Sequence, residues 1–211
     1  MVIAVFLFQL GYNWLMLPLL LASLIWLFYA IWKIGKWHDE RLTLRLPVAK
    51  LWGLATGGPQ IILNEESFDC LATIYGKDEC REILQRSWGI QGESEVEPML
   101  SWLFQEGHSA ECLSILENER RDLVIESEDP QGRIQFALDH RDQFQQHGLA
   151  AWDCGRIVAV AKWSCCAGYL SEGKAWEWIA RSSQRIQCEY SSWAEFGEHW
   201  ILGFRYWSDG K

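Results

Sequence analysis

Hydrophobic and polar positions divide the chain into two regimes. From Met1 to Trp32 no side chain is charged. Beyond it, apolar residues recur three and four apart between polar ones, the spacing of amphipathic helices. Trp14 to Trp32, WLMLPLLLASLIWLFYAIW, is 19 residues long, enough to cross a bilayer core of about 30 Å. Tryptophans mark both of its ends, as at the two interfaces of a membrane. Pro18 falls in the first turns, where its missing N–H matters least. The preceding VIAVFLFQLGYN is too short for a second crossing. It has no basic region before the apolar run, and no small-x-small cleavage site follows, so a retained anchor is expected rather than a cleaved signal. Lys33, Lys36, Arg41, Arg45 and Lys50 all follow the segment and none precede it, which predicts that the large domain faces the cytoplasm. The expected organisation is an anchor over 1–34, in contact with lipid through 14–32, a charged linker over 35–46, and an all-helical cytoplasmic domain over 47–211.

In the second regime, helix signals follow one another. Pro47 opens VAKLWGLAT, ended by Gly57-Gly58-Pro59. Asn64 is a good N-cap for EESFDCLATIYG, stopped by Gly76. Lys77 to Trp88 carries Ile83, Leu84 and Trp88 on one face. Ser94-Glu95-Val96-Glu97 reads as a capping box for PMLSWLFQE, with Gly107 just past its end. Further helices are predicted from His108 to about Ile125 and from Arg133 to His147, around a loop at Ser127–Gly132. Ser171 caps EGKAWEWIARSSQRIQ. Ser192-Trp193-Ala194-Glu195 opens the last helix, whose Trp193, Phe196, Trp200, Phe204 and Trp207 form one aromatic stripe. Val124-Ile125 and Ile61-Ile62-Leu63 are the strand-like scraps, and no alternating run competes. The class is therefore all-α, a compact bundle of about seven or eight helices.

One stretch organises the rest. Gly148 to Gly168, GLAAWDCGRIVAVAKWSCCAG, is apolar nearly all round, and a helix without a polar face belongs at the centre of a bundle. It nevertheless carries Asp153 and Arg156 one turn apart on one face, with Lys162 on the opposite side. A charged pair there needs partners, because desolvation is costly. Two readings stay open: a buried network that seats the central helix, with acids such as Glu177 or Glu195 nearby, or the polar floor of a pocket in which Arg156 holds an anion.

Composition narrows the chemistry. Lys and Arg number 19 against 28 Asp and Glu, a net charge of −9, so nucleic acid is not an expected partner. The 7 cysteines are irregularly spaced without CxxC and read as reduced, mostly buried thiols. Cys165 and Cys166 point about 100° apart on a helix and make a poor chelator. Among the histidines no two stand at i, i+4; Asp139-His140 with His147 is the nearest approach to a metal set, and neither metal nor cofactor is expected. No GxSxG, P-loop or GxGxxG occurs. The aromatic stripe reads as core; a sharper reading, a stacking platform for a sugar or base, needs two rings on a concave face.

Several segments follow one another in a set order: WGI at Trp88–Ile90, WLFQEGH at Trp102–His108, AWDCGR at Ala151–Arg156, AGYLSEGKAW at Ala167–Trp176 and SWAEFGEHWILGFRYW at Ser192–Trp207. Together they resemble the bacterial domain-of-unknown-function family typified by the enterobacterial YbeU and YbeR proteins, over roughly Leu44 to Trp207. The resemblance implies a helical bacterial domain and supplies no catalytic residue. The membrane is then the bacterial inner membrane, crossed once. The candidate binding residues, drawn from the central helix, the stripe and these segments, are Asp153, Arg156, His108, Tyr169, Trp193, Glu195 and Arg205. The expected function is a membrane-anchored interaction module with a protein partner, such as an immunity-type inhibitor or a chaperone-linked adaptor. The alternatives are an enzyme whose pocket at Asp153 and Arg156 takes a small anionic substrate, and a structural subunit of a membrane complex.

Overall fold

The computed structural model describes residues 46–67, 69–117 and 132–208, and Tyr29 besides. The chain divides into two compact units, Met1–Arg45 and Leu46–Lys211. Apart from Tyr29, the anchor over 1–34 with its membrane segment 14–32, the linker up to Arg45, and the stretch 118–131 lie outside the described residues. Among the described residues no helix is long and apolar enough to cross a membrane.

The second unit is all-helical where described, without strands. Its helices are α1 Val48–Thr56, α2 Gly58–Leu63, α3 Lys77–Trp88, α4 Glu93–Gln105, α5 Ser109–Glu117, α6 Arg133–Asp139, α7 Arg141–His147, α8 Ala150–Ala167, α9 Glu172–Glu189 and α10 Trp193–Trp207. The expected central helix is α8. Every residue from Ala150 to Ser164 is buried, and α1, α2, α3, α4, α9 and α10 all pack on it. Small side chains let them approach. A Cβ on Gly155 would fall 2.7 Å from Trp200 Nε1, and one on Gly203 would collide with the Trp152 side chain, so these two glycines set the α8–α10 distance. The core forms two clusters. One joins α1–α4 to α9 and the far half of α8. The other gathers α5, α7 and α10 around the start of α8.

Several boundaries differ from the sequence pattern. The described residues between 64 and 76 are not helical. Asn64 ends α2, its N–H bonded to the Gln60 carbonyl, and Glu65 turns the chain with φ 56°. That turn carries Glu66 inward to Lys162, whose Nζ lies 3.2 Å from Glu66 Oε2 and donates to the Ser67 carbonyl at 2.9 Å. Trp163 Nε1 donates to Glu66 Oε1 at 2.9 Å. A buried lysine needs an acid beside it, and a loop can deliver one where a helix face would not. Gly57 separates α1 from α2 instead of ending the helical run, with Pro59 in the first turn of α2. The N-cap expected at Ser94 sits two residues earlier, at Gly92, which has no side chain to close a box; the Glu95 carboxylate accepts from the Gln91 and Gly92 N–H groups. The helix over 133–147 breaks at His140, whose Nδ1 lies 2.9 Å from the Phe136 carbonyl. Ser171 and Ser192 cap α9 and α10 as their sequences predict.

Candidate functional site

Asp153 and Arg156 stand three residues apart on the buried face of α8, and their partners come from the turn between α4 and α5. Gly107 ends α4 with φ 53°, and a Cβ there would collide with the Asp153 carboxylate. Only glycine serves both demands. The carboxylate, 1% exposed, thus sits over the start of α5, where unpaired N–H groups favour an anion. His108 N and Ser109 N each donate to it at 3.3 Å, and Ser109 Oγ at 3.1 Å. Arg156 Nη2 donates to Asp153 Oδ1. The Ser109 hydroxyl also accepts from Leu149 N at 2.8 Å. One carboxylate therefore ties α8 to the start of α5 and to the turn that opens α8.

Burial pushes the Asp153 carboxyl above its usual range, and Arg156, the His108 N–H and the Ser109 hydroxyl pull it back. Burial likewise lowers the guanidinium, against the attraction of Asp153. Every group in reach of Asp153 is a donor and guanidinium keeps its proton, so the two form an ion pair.

Arg156 Nη2 also lies 2.8 Å from His108 Nδ1. A guanidinium has no lone pair, so Nδ1 must accept; His108 is neutral, with its proton on Nε2. Burial, then the charge of Arg156, lowers its pKa to about 4. The contact of 3.8 Å between His108 Nδ1 and Asp153 Oδ1 is accordingly not a charge pair. The guanidinium is further held over the rings of Trp88, at 5.5 Å, and Trp152, at 4.9 Å.

This network forms one wall of a cavity of about 650 Å³, within the range of small-ligand sites. Trp88, Trp102, Trp152, Trp163, Phe204 and Trp207 also line it, as does the exposed Arg86. No acidic side chain among the described residues lines it, although the chain carries −9 overall. No described residue accepts from Arg156 Nη1 or Nε. The cavity is thus rich in aromatic side chains, with the Arg156 guanidinium and Arg86 as the cations that line it.

Asp153, Arg156 and His108 come together here; the other candidates do not join them. Tyr169 lies under the Arg81 guanidinium at 5.5 Å. Trp193 packs on Trp52 with ring centroids 4.4 Å apart and borders a separate recess of about 200 Å³. Glu195 accepts from Ser191 N at 2.7 Å and Ser191 Oγ at 2.6 Å, and lies 3.5 Å from His147 Nε2. The Ser191 hydrogen bonds and His147 hold its carboxyl below the usual range. Arg205 covers the Phe136 ring at 5.3 Å. Glu177 pairs with Lys174 at 3.3 Å, so neither acid considered as a partner for Arg156 fills that role. Among the described residues no group of three or more His, Cys, Asp or Glu is placed to hold a metal. All seven cysteines are free; Cys80, Cys112 and Cys154 are buried, whereas Cys188 is exposed.

Sequence reasoning offered a pocket at Asp153 and Arg156 as one of two readings but missed the tryptophans that line it, and it missed the Lys162–Glu66 pair. A signal for the tryptophans was present: Trp88, Trp102, Trp152 and Trp207 all fall in the motif segments quoted above, and the aromatic stripe does put two rings, Phe204 and Trp207, on a concave face. Nothing local marked Glu66 as the partner of a lysine 96 positions away.

The family described as "Protein of unknown function (DUF1266)" matches residues 83–211. That is more than half of the chain, and the chain belongs to this family. The match takes in Trp88, Trp102, His108, Asp153 and Arg156, and leaves out α1 and α2. No curated protein and no solved structure matches.

Proposed function

We propose that this member of the DUF1266 family is a binding module that receives a small anionic ligand in the tryptophan-lined cleft, against Arg156. The observation that carries the reading is a buried guanidinium with an unaccepted Nη1 at the wall of a cavity without a described acidic lining residue. Asp153 fixes the guanidinium from behind, so Nη1 is held in place before any ligand arrives; a pre-ordered donor costs less to engage. Binding is favoured over catalysis by the state of His108. Its Nδ1 is occupied and its pKa is lowered to about 4, which makes it a hydrogen-bond donor and a poor general base near neutral pH.

The module is anchored in the bacterial inner membrane by residues 14–32 and faces the cytoplasm. The uncharged segment and the basic residues after it support this. Kinship with the enterobacterial YbeU and YbeR proteins belongs to the same reading, supported by the ordered segments from Trp88–Ile90 to Ser192–Trp207. A protein partner is the second reading. It is favoured by Trp193 and Ile201 of α10, 45% and 56% exposed, since exposed large apolar side chains on one helix mark contact surfaces.

The test is titration of the full chain in nanodiscs with a panel of monocarboxylates and phosphate monoesters, read by tryptophan emission. Arg156→Lys is the control: it keeps the charge beside Asp153 and removes Nη1. Saturable binding that Arg156→Lys weakens by tenfold or more is expected, about 1.4 kcal/mol of lost interaction. Absence of binding by every member of the panel, or binding indifferent to Arg156→Lys, overturns the reading.

A further inference from the structure

We infer that the ligand of this cleft is a planar aromatic oxyanion, its ring stacked on the indoles and its charged group on Arg156 Nη1. The inference rests on the binding reading above and deepens it by naming the ligand's class.

The ring surfaces come first. Trp102 and Trp207 line the cleft while remaining 37% and 45% exposed. Trp102 meets His108 edge-on, with centroids 5.4 Å apart and planes at 66°. Trp207 meets Trp152 tilted, at 5.8 Å and 38°. Neither contact is a parallel stack, so each indole keeps face area to offer. Flat rings cover indole faces best, in offset stacks or edge-to-face contacts.

The cationic group comes second. The Arg156 guanidinium is itself a flat plate among indoles, above Trp88 and Trp152, and Trp152 continues to Phe204 at 5.7 Å. The wall is thus a run of planar groups. A ring entering the cleft extends that run, and a substituent in its own plane reaches the guanidinium edge-on, the direction in which guanidinium N–H groups point.

The donor inventory comes third. Arg156 Nη1 and His108 Nε2–H are donors without a described acceptor, and both belong to residues lining the cleft. The matching ligand group is acceptor-only: a carboxylate or a phosphate. Asn64, which also lines the cleft, gives its Oδ1 to Gln60 Nε2 at 3.4 Å and leaves Nδ2 as a further buried donor without a described partner. A purely apolar chain would leave Arg156 Nη1 without an acceptor.

The test uses the full chain in nanodiscs, with empty discs as blank, and equilibrium dialysis against four matched probes. These are 2-naphthoate, 2-naphthyl phosphate, the saturated decahydro-2-naphthoate and uncharged 2-naphthalenemethanol. Stacking of a ring on aromatic side chains is worth about 1–3 kcal/mol, so the aromatic anions should bind about tenfold or more tighter than the saturated one. Trp207→Ala, at an exposed position, should erase that preference while the chain keeps its melting temperature. The two aromatic anions separate carboxylate from phosphate recognition. Equal affinity for the saturated and aromatic carboxylates overturns this inference and leaves the binding reading intact. Equal affinity for the alcohol, or no binding at all, overturns both.

Discussion

Replacing Asp153 by alanine should cost more stability than replacing Arg156, although the two form one ion pair. The difference follows from what each removal leaves behind. Without Asp153, Arg156 is a cation 5% exposed with no anion in contact, and His108 N, Ser109 N and Ser109 Oγ lose their acceptor. Breaking a buried pair from one side costs about 3–5 kcal/mol, and each stranded buried donor adds about 1–3 kcal/mol. Without Arg156, the Asp153 carboxylate still accepts from two backbone N–H groups and a hydroxyl, which together hold an anion well. Arg156→Ala should therefore fall at the lower end of about 3–5 kcal/mol, and Asp153→Ala beyond its upper end. Of the about 5–15 kcal/mol that holds such a domain folded, Asp153→Ala then removes a distinctly larger share than Arg156→Ala. The double variant should cost less than the sum of the singles. Chemical denaturation of the full chain, followed by tryptophan emission, measures all three. An Asp153→Ala protein as stable as Arg156→Ala, or a double variant equal to the sum, would show that the carboxylate does not carry the α5 start and would refute this account of the network.

Acid should destabilise the domain before carboxylates protonate in bulk: His108 stays neutral in the fold down to about pH 4 while the unfolded side chain charges near 6.5, so the unfolded state takes up the proton and stability falls as pH drops through that window. The full shift corresponds to about 3 kcal/mol, and His199, lowered mainly by burial, acts in the same direction. His108→Asn keeps an acceptor for Arg156 and should flatten most of the dependence between pH 6.5 and 4.5; an unaltered slope in thermal melts would contradict the assignment. Thiol labelling of the native chain should reach Cys188 first, and reach Cys80, Cys112 and Cys154, all pushed up to about 12 by burial, only on unfolding; rapid native labelling of Cys154 would mean the centre of the bundle opens. Full-length protein should stay with membranes through carbonate extraction, and its appearance in the soluble fraction would end the anchor reading.

How much of this was legible depended on the range of the interaction. The burial of α8 was readable because its sequence has no polar face, and the Asp153–Arg156 pairing because helical geometry fixes residues three apart. The caps at Ser171 and Ser192 were readable for the same reason. Residues 64–76 were misread because a good cap and apolar spacing are local signals, whereas the turn at Glu65 answers to Lys162, far along the chain. His108 stood among the binding candidates through its segment, but no local signal gave its tautomer, which Arg156 sets from another helix. The walls of the cleft were only partly legible for a related reason. Its tryptophans come from α3, α4, α8 and α10, and only the packing of those helices brings them around one cavity.

The central claim is that Arg156 presents Nη1 to an anion inside the cleft. The direct measurement is the side-chain ¹⁵N spectrum of the arginine-labelled full chain during titration with 2-naphthoate. The account predicts a saturable shift of the Arg156 Nη1 signal with the Nη2 contact to His108 retained, absent in Arg156→Lys. Saturable binding of the probe with the Arg156 signals unmoved would place the ligand elsewhere and contradict it.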